Sequence, residues 1–153
     1  MRKGESLSQT SQAPTLAGVH HLKLPVRDLD RSRAWYESRL GFELAVEFVE
    51  EGQLMGLLLR HPRGGPDLAL RLDPTRAEAA AGFDFFAIGV PDKECIETVA
   101  ERLTNLGEAN AGVHFAPIGW TYRCSTTPMG SRFASTRSST TPIWGGSRDR
   151  ARS

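Results

Sequence analysis

The chain of 153 residues suits a single domain, and its formal net charge of +1 gives no electrostatic footprint for nucleic acid. Cys95 and Cys124 stand apart without a CxxC or histidine spacing, so neither a disulfide framework nor a zinc site is indicated. No apolar run approaches the roughly 20 residues of a membrane helix, and we expect a cytoplasmic protein that contacts neither nucleic acid nor a membrane.

Residues 1–16 contain Ser, Gln and Pro but no apolar signal segment, which predicts a disordered N-terminal arm. The stretch "GVHHLKLPV" then alternates between two faces, as a half-buried strand does. Its apolar positions suit a helix-covered face and leave His21 and Lys23 on the concave side. Asp28 is a candidate N-cap for a helix that carries an apolar stripe and ends at Gly41.

Three further strands are predicted after this helix. "ELAVEFVE" and "QLMGLLLRH" are joined by Glu-Gly and indicate a hairpin, with Glu50 and Glu51 at a solvated tip. "PRGGP" predicts the next turn and "DLALRL" the strand that follows. The first half is therefore a βαβββ module over residues 17–72.

The same order of elements then begins again. A linker, "DPTRAEAAAG", leads to a strand in "FDFFAIGV" and to a helix capped by Asp92 and ended by Gly107. The Val-x-Asp before each helix and the Leu-Gly after it occur in both halves, which indicates an internal duplication. The second module, residues 83–122, then offers one strand around "AGVHFAPIGW" and lacks two strands by analogy with the first.

Residues 123–153 are rich in Ser, Thr, Arg and Pro and have no apolar period, which predicts a disordered tail. If the gene has slipped by one base, the original frame could have encoded Leu-His-Asp-Pro-Asp-Gly at positions 125–130. It could likewise have encoded Ile-Arg-Phe-Tyr-Thr-Val-Glu at positions 133–139. That turn and strand are what the second module lacks. An out-of-frame tail and a natural disordered tail both remain open, and we favour the first.

The segment "HHLKLPVRDLDRSRAWYESRLGFE" resembles the opening of a vicinal oxygen chelate domain. That superfamily includes glyoxalase I, the bleomycin-resistance proteins, fosfomycin-resistance transferases and extradiol dioxygenases. The shared motif is a strand with His, an apolar-x-Val-x-Asp ending, Ser and Trp-Tyr on the helix, and Leu-Gly-Phe after it. The resemblance implies an α+β fold of tandem βαβββ modules, here with the second module incomplete. Their curved mixed sheets would enclose a cavity, often completed across a homodimer.

The resemblance also implies one divalent metal, held by His and Glu from both modules and acting as a Lewis acid. His21 occupies the first ligand position. The position of the second module that matches His21 is Phe85. The Glu position of the first module falls at Ala69 or Arg71. The last Glu position falls at Ala134, where even the shifted frame permits only Cys or Arg. One ligand does not make a site, so we expect no cofactor, with a divalent metal as the alternative.

These positions favour a pocket for an organic molecule over a metal centre. The candidate pocket residues are His21, Lys23, Phe85, Ala87 and His114. Phe85 would form an apolar wall, whereas His114 fits an ordinary half-exposed strand histidine better. The predicted function is small-molecule binding of the bleomycin-resistance type, in a homodimer when the chain is intact. A metal-dependent lyase or dioxygenase that uses His21, and a non-functional frameshifted product, are the alternatives.

Overall fold

The computed structural model describes residues 13–83 and 85–124, and the backbone of residues 131–135. The first module consists of β1 (His21–Val26), α1 (Leu29–Leu40), β2 (Glu43–Glu50), β3 (Gln53–Arg60) and β4 (Asp67–Leu72). A short helix, α2 (Pro74–Ala79), follows. The second module consists of β5 (Phe86–Gly89), α3 (Lys93–Asn105), β6 (Asn110–Ala116), β7 (Gly119–Cys124) and β8 (Ser131–Ser135).

The two modules share one topology. The first sheet has the order β1-β4-β3-β2 and the second the order β5-β8-β7-β6. In each sheet the first and last strands of the module pair in parallel, and the other pairings are antiparallel. The duplicated βαβββ pattern and the α+β class predicted from the sequence are therefore confirmed.

Helix α1 begins and ends where the sequence indicates, and β1 begins at His21, later than the predicted strand. The side chain of Asp28 accepts a hydrogen bond from the backbone N–H of Arg31 at 2.9 Å, which satisfies a donor in the first turn of α1. Gly41 ends the helix with a left-handed φ of 77°, which costs a glycine little. The helix contacts β3 and β4, so it covers one face of the first sheet.

One apolar cluster joins the two modules. On the helix-covered face of the first sheet, Leu24, Val26 and the buried leucines of β3 and β4 pack beneath Trp35 and Tyr36. Ile96, Leu103, Tyr122 and Cys124 of the second module belong to the same cluster. The opposite face of the first sheet is thereby left to carry the site described below.

Two segments after the first module differ from the sequence prediction. The predicted linker contains α2, because Asp73 caps the helix through the backbone N–H of Arg76 and Pro74 suits its first turn. The predicted single strand around "AGVHFAPIGW" is a hairpin, in which β6 and β7 meet at a turn over Pro117 and Ile118. Since proline cannot donate to a strand ladder, it marks the break.

The prediction that the second module is incomplete is wrong for the described backbone. Strand β8 lies between β5 and β7 and pairs with both. Arg123 and Cys124, predicted to belong to the tail, end β7. Two neighbouring strand edges need a partner for their N–H and C=O groups, and this requirement outweighs the polar composition of residues 131–135.

The remaining parts of the predicted arm and tail, residues 1–12, 125–130 and 136–153, lie outside the described residues. Residues 13–20 carry no helix or strand. Among the described helices, none has the length and apolar character required to cross a membrane.

Candidate functional site: a cavity on the first sheet

A cavity of about 310 Å³ lies on the face of the first sheet opposite α1, which we call the cavity face. It is lined by His20, His21, Lys23, Phe48, Glu50, Gly56, Leu58, Ala69, Leu70 and Arg71. The volume is at the lower end of the range for small-molecule sites. All four strands of the module contribute, because side chains alternate between faces along each strand.

The centre of the cavity is apolar. Phe48 of β2 lies opposite Gly56 of β3 in the strand register, and Leu58 and Ala69 are register partners on β3 and β4. A Cβ atom at Gly56 would stand 3.0 Å from the carbonyl oxygen of Leu70 and 3.5 Å from the Phe48 ring. Glycine therefore lets the aromatic ring lie close to the sheet and keeps the floor of the cavity flat.

An ion pair crosses the rim of the cavity. Arg71 donates through both terminal nitrogens to the Glu50 carboxylate, with 2.8 Å between Nη2 and Oε2. The hydrogen bonds from Arg71 hold the pKa of Glu50 below its usual value, and the charge of Lys23 acts in the same direction. Glu50 is thus not the simple solvated hairpin tip that the sequence indicated.

Two adjacent histidines occupy the start of β1. The Nδ1 atoms of His20 and His21 lie 3.0 Å apart and the rings meet edge to face. At this distance one ring can donate to the other, and the tautomers decide which nitrogen is the donor. Both side chains line the cavity.

The structure brings together two of the five predicted pocket residues, His21 and Lys23. Ala87 of β5 and Phe85, which precedes this strand, are exposed, whereas Phe86 and Ile88 pack against the core. His114 is exposed on β6, where its Nε2 atom lies 3.0 Å from Oγ1 of Thr121. None of these three lines the described cavity.

Eight of the ten residues that line the cavity were not singled out as pocket residues from the sequence, and Phe48, Leu58 and Arg71 are among them. Phe48, Leu58 and Arg71 occupy alternate positions of their strands, on the same face as His21. The alternation is a usable signal only once the strand register is known. A shift of one residue would place each of them on the helix-covered face.

The residues around His21 do not fit the divalent metal that the resemblance implies. In the described chain, no group of three or more His, Cys, Asp or Glu side chains could hold an ion. Lys23 and Ala69 are register partners next to His21, and Arg71 lies two positions further along β4. A guanidinium and an ammonium would repel a cation, and the residues of β8 include no metal-ligand type.

The sequence matches the model of the Glyoxalase/Bleomycin resistance protein/Dioxygenase superfamily over residues 18–132. The chain belongs to this superfamily. The resemblance seen in the opening strand and helix is thereby confirmed. No curated protein sequence matches the chain significantly.

Several solved structures share the fold. A glyoxylase/bleomycin resistance protein/dioxygenase domain from Frankia sp. EAN1pec is 24% identical, with a TM-score of 0.63 over 80% of this chain and 100% of that one. The antibiotic binding protein TnmS3 from Streptomyces sp. CB03234 is 17% identical, with a TM-score of 0.63 over 80% and 98%. Lactoylglutathione lyase from Agrobacterium tumefaciens is 15% identical, with a TM-score of 0.60 over 80% and 96%. At these identities the likeness concerns the fold alone.

Proposed function

We propose that the protein binds a small organic molecule in the cavity of the first sheet, without a complete metal site. The observation that carries the proposal is the composition of the cavity face. An apolar floor of Phe48, Leu58 and Ala69 is bordered by a few polar groups, which is the usual arrangement of small-molecule sites. An antibiotic binding protein has the same fold, so the fold is compatible with a binding role.

A metal-dependent lyase or dioxygenase is the alternative function within the superfamily. The fold of a lactoylglutathione lyase is similar, but fold similarity carries no activity. The alternative requires His21 to find carboxylate or imidazole partners. Ala69, Arg71 and Phe85, which stand at the family's other ligand positions, supply none. Binding therefore has the better support.

We also propose that two copies of the chain associate. Phe83 and Phe85 are 64% and 47% exposed, and their rings meet edge to face at 4.9 Å between centroids. Two exposed aromatic rings in contact are typical of a surface that another chain covers. Light scattering should give a dimer for the natural chain and a monomer for the Phe83→Ser/Phe85→Ser variant. A monomeric natural chain would contradict this part.

The cytoplasmic location expected from the sequence stays a prediction.

The binding function can be tested with the uncharged fluorescent probe N-phenyl-1-naphthylamine. We expect saturable binding to the natural chain and at least tenfold weaker binding to Ala69→Phe, because the larger side chain fills the centre of the cavity. Ala34→Phe, on the exposed face of α1, is the matched control and should bind as the natural chain does. Equal binding by all three proteins, or no saturable binding, would overturn the proposal.

A further inference from the structure

We propose that the bound molecule carries an anionic group, a carboxylate, sulfonate or phosphate, held by Arg71 and Lys23. The inference rests on the proposed function and names the chemical class of its ligand. It begins from the charges of the cavity lining. The lining contains two permanent cations, Lys23 and Arg71, and one carboxylate, Glu50, so its formal charge is positive even when both histidines are neutral.

The two cations are placed to act on one group. Lys23 on β1 is the register partner of Ala69 on β4, and Arg71 follows two positions later on the same face of that strand. Adjacent strands are about 4.8 Å apart and alternate residues of a strand about 7 Å apart. Both side chains are therefore long enough to reach the space above the short side chain of Ala69, where an anion can contact both.

Lys23 makes no ion pair within 4 Å with any described residue. Arg71 is held by Glu50, whose side chain is 54% exposed at the end of the hairpin. Exposed ion pairs add little to stability, so a ligand anion can displace Glu50 or share the guanidinium with it. A guanidinium has five N–H donors and Glu50 accepts from two of them, so the other three are available to a ligand anion.

The apolar residues of the cavity determine what kind of body the ligand has beside its acidic group. Phe48 and Leu58 offer an aromatic and an aliphatic surface next to the two cations. The ligand class that fits is an aromatic or aliphatic body with one acidic group at its edge.

The test compares two probes that share one arylamine body, 1-anilinonaphthalene-8-sulfonate and the uncharged N-phenyl-1-naphthylamine. We expect Arg71→Gln and Lys23→Gln each to weaken sulfonate binding about tenfold, because each removes a charged donor. Binding of the uncharged probe should stay within twofold. Glu50→Gln should strengthen sulfonate binding, since it removes the competing carboxylate, and added salt should weaken it.

Arg63→Gln is the control, because Arg63 is exposed outside the cavity and should not affect either probe. The inference is overturned if both probes respond equally to the cavity variants, or if Arg63→Gln weakens the sulfonate as much as Arg71→Gln. A melting curve that matches that of the natural chain shows that a variant is folded. If Arg71→Gln does not fold, Lys23→Gln provides the test in its place. If Ala69→Phe binds the uncharged probe as tightly as the natural chain does, the binding function itself is overturned.

Discussion

The guanidinium of Arg39 lies 2.7 Å from the buried carboxylate of Glu108, measured from Nε to Oε1. Arg39 is in the last turn of α1, and Glu108 precedes β6, so the contact joins the two modules. A second arginine reinforces it, because Arg102 of α3 donates to the backbone carbonyls of Arg39 and Ser38 at 2.7 and 3.0 Å. The attachment of α1 to the second module thus depends on these arginine side chains. That of Arg102 also donates to carbonyl groups at the end of α1, which have no partner within the helix.

Arg39→Ala should lower the free energy of unfolding by about 1–3 kcal/mol, because it removes a donor that faces a carboxylate only 8% exposed. Arg33→Ala is the matched control on the same helix. Its ion pair with Glu37 is also 2.7 Å long but about one third exposed on each side, and its loss should cost no more than about 0.5 kcal/mol. Urea denaturation measures both. Equal losses of unfolding free energy in the two variants would contradict the argument that burial of Glu108 makes its ion pair more stabilising.

Phe85→Glu should leave the protein folded, whereas Phe86→Glu should unfold it. Phe85 points away from the core and Phe86 packs against it, so only the second change buries a charge. Far-ultraviolet circular dichroism and thermal melting separate the two outcomes. Unfolding by Phe85→Glu would place the strand register of β5 off by one residue. Whether Phe85 also contacts a ligand, as the sequence suggested, is measured with the same variant and N-phenyl-1-naphthylamine.

The elements with strong local signals could be predicted from the sequence. Helix α1 has an aspartate cap, a period of 3.6 and a glycine end, and each of these signals acts within a few residues. The alternation of β1 likewise placed His21 and Lys23 on the face opposite the core. These are the two predicted pocket residues that the cavity contains.

The remainder depends on contacts between distant residues. Strand β8 has no apolar period, and only the edges of β5 and β7 make it a strand. The ion pair of Glu50 with Arg71 depends on the order β4-β3-β2, which brings β2 within reach of β4 across β3. No local pattern encodes either fact. The sequence therefore predicted the part of the cavity that β1 forms, but not the parts that β2, β3 and β4 form.

Tyr122 should titrate far above its usual range. Burial raises the pKa of the Tyr122 hydroxyl to about 12, with Cys124 and Glu108 adding to the shift. Because this folded-state value exceeds the ordinary 10.0, the stabilising contribution is complete below pH 10 and is lost as the pH rises through 12. The absorbance difference at 295 nm between the natural chain and Tyr122→Phe should have its midpoint near that value. A midpoint close to 10 would contradict the burial argument.

The purified protein should contain no stoichiometric divalent metal. The resemblance places His21 at the first ligand position, and Phe85 and either Ala69 or Arg71 at two others, where none of these side chains can bind a cation. Elemental analysis of the chain purified without chelator, with His21→Ala beside it, gives the measurement. About one zinc, nickel, manganese or iron per chain that is lost on His21→Ala would support the enzymatic alternative over binding.

The neighbouring reading frame of the gene should encode an Asp-Pro-Asp-Gly turn followed by an apolar strand. A chain restored to that frame should remain dimeric and be more stable than the present one, because residues 131–135 as written include one large apolar side chain, Phe133. DNA sequencing reads the frame directly, and denaturation midpoints compare the two chains. A gene without this reading, or a restored chain no more stable than the present one, would favour a natural tail.

The central place of β8 in the second sheet has a consequence for synthesis on the ribosome. All strands of the first sheet have emerged once Leu72 has left the exit tunnel, so its pairing can finish early. Among the described strands β5 pairs with β8 alone, and β7 also waits for β8 on one side. A nascent chain between these two points carries one finished sheet and two open strand edges. Open edges are templates for pairing with other chains, so slow elongation over the intervening codons prolongs exposure to misassembly and to chaperone capture.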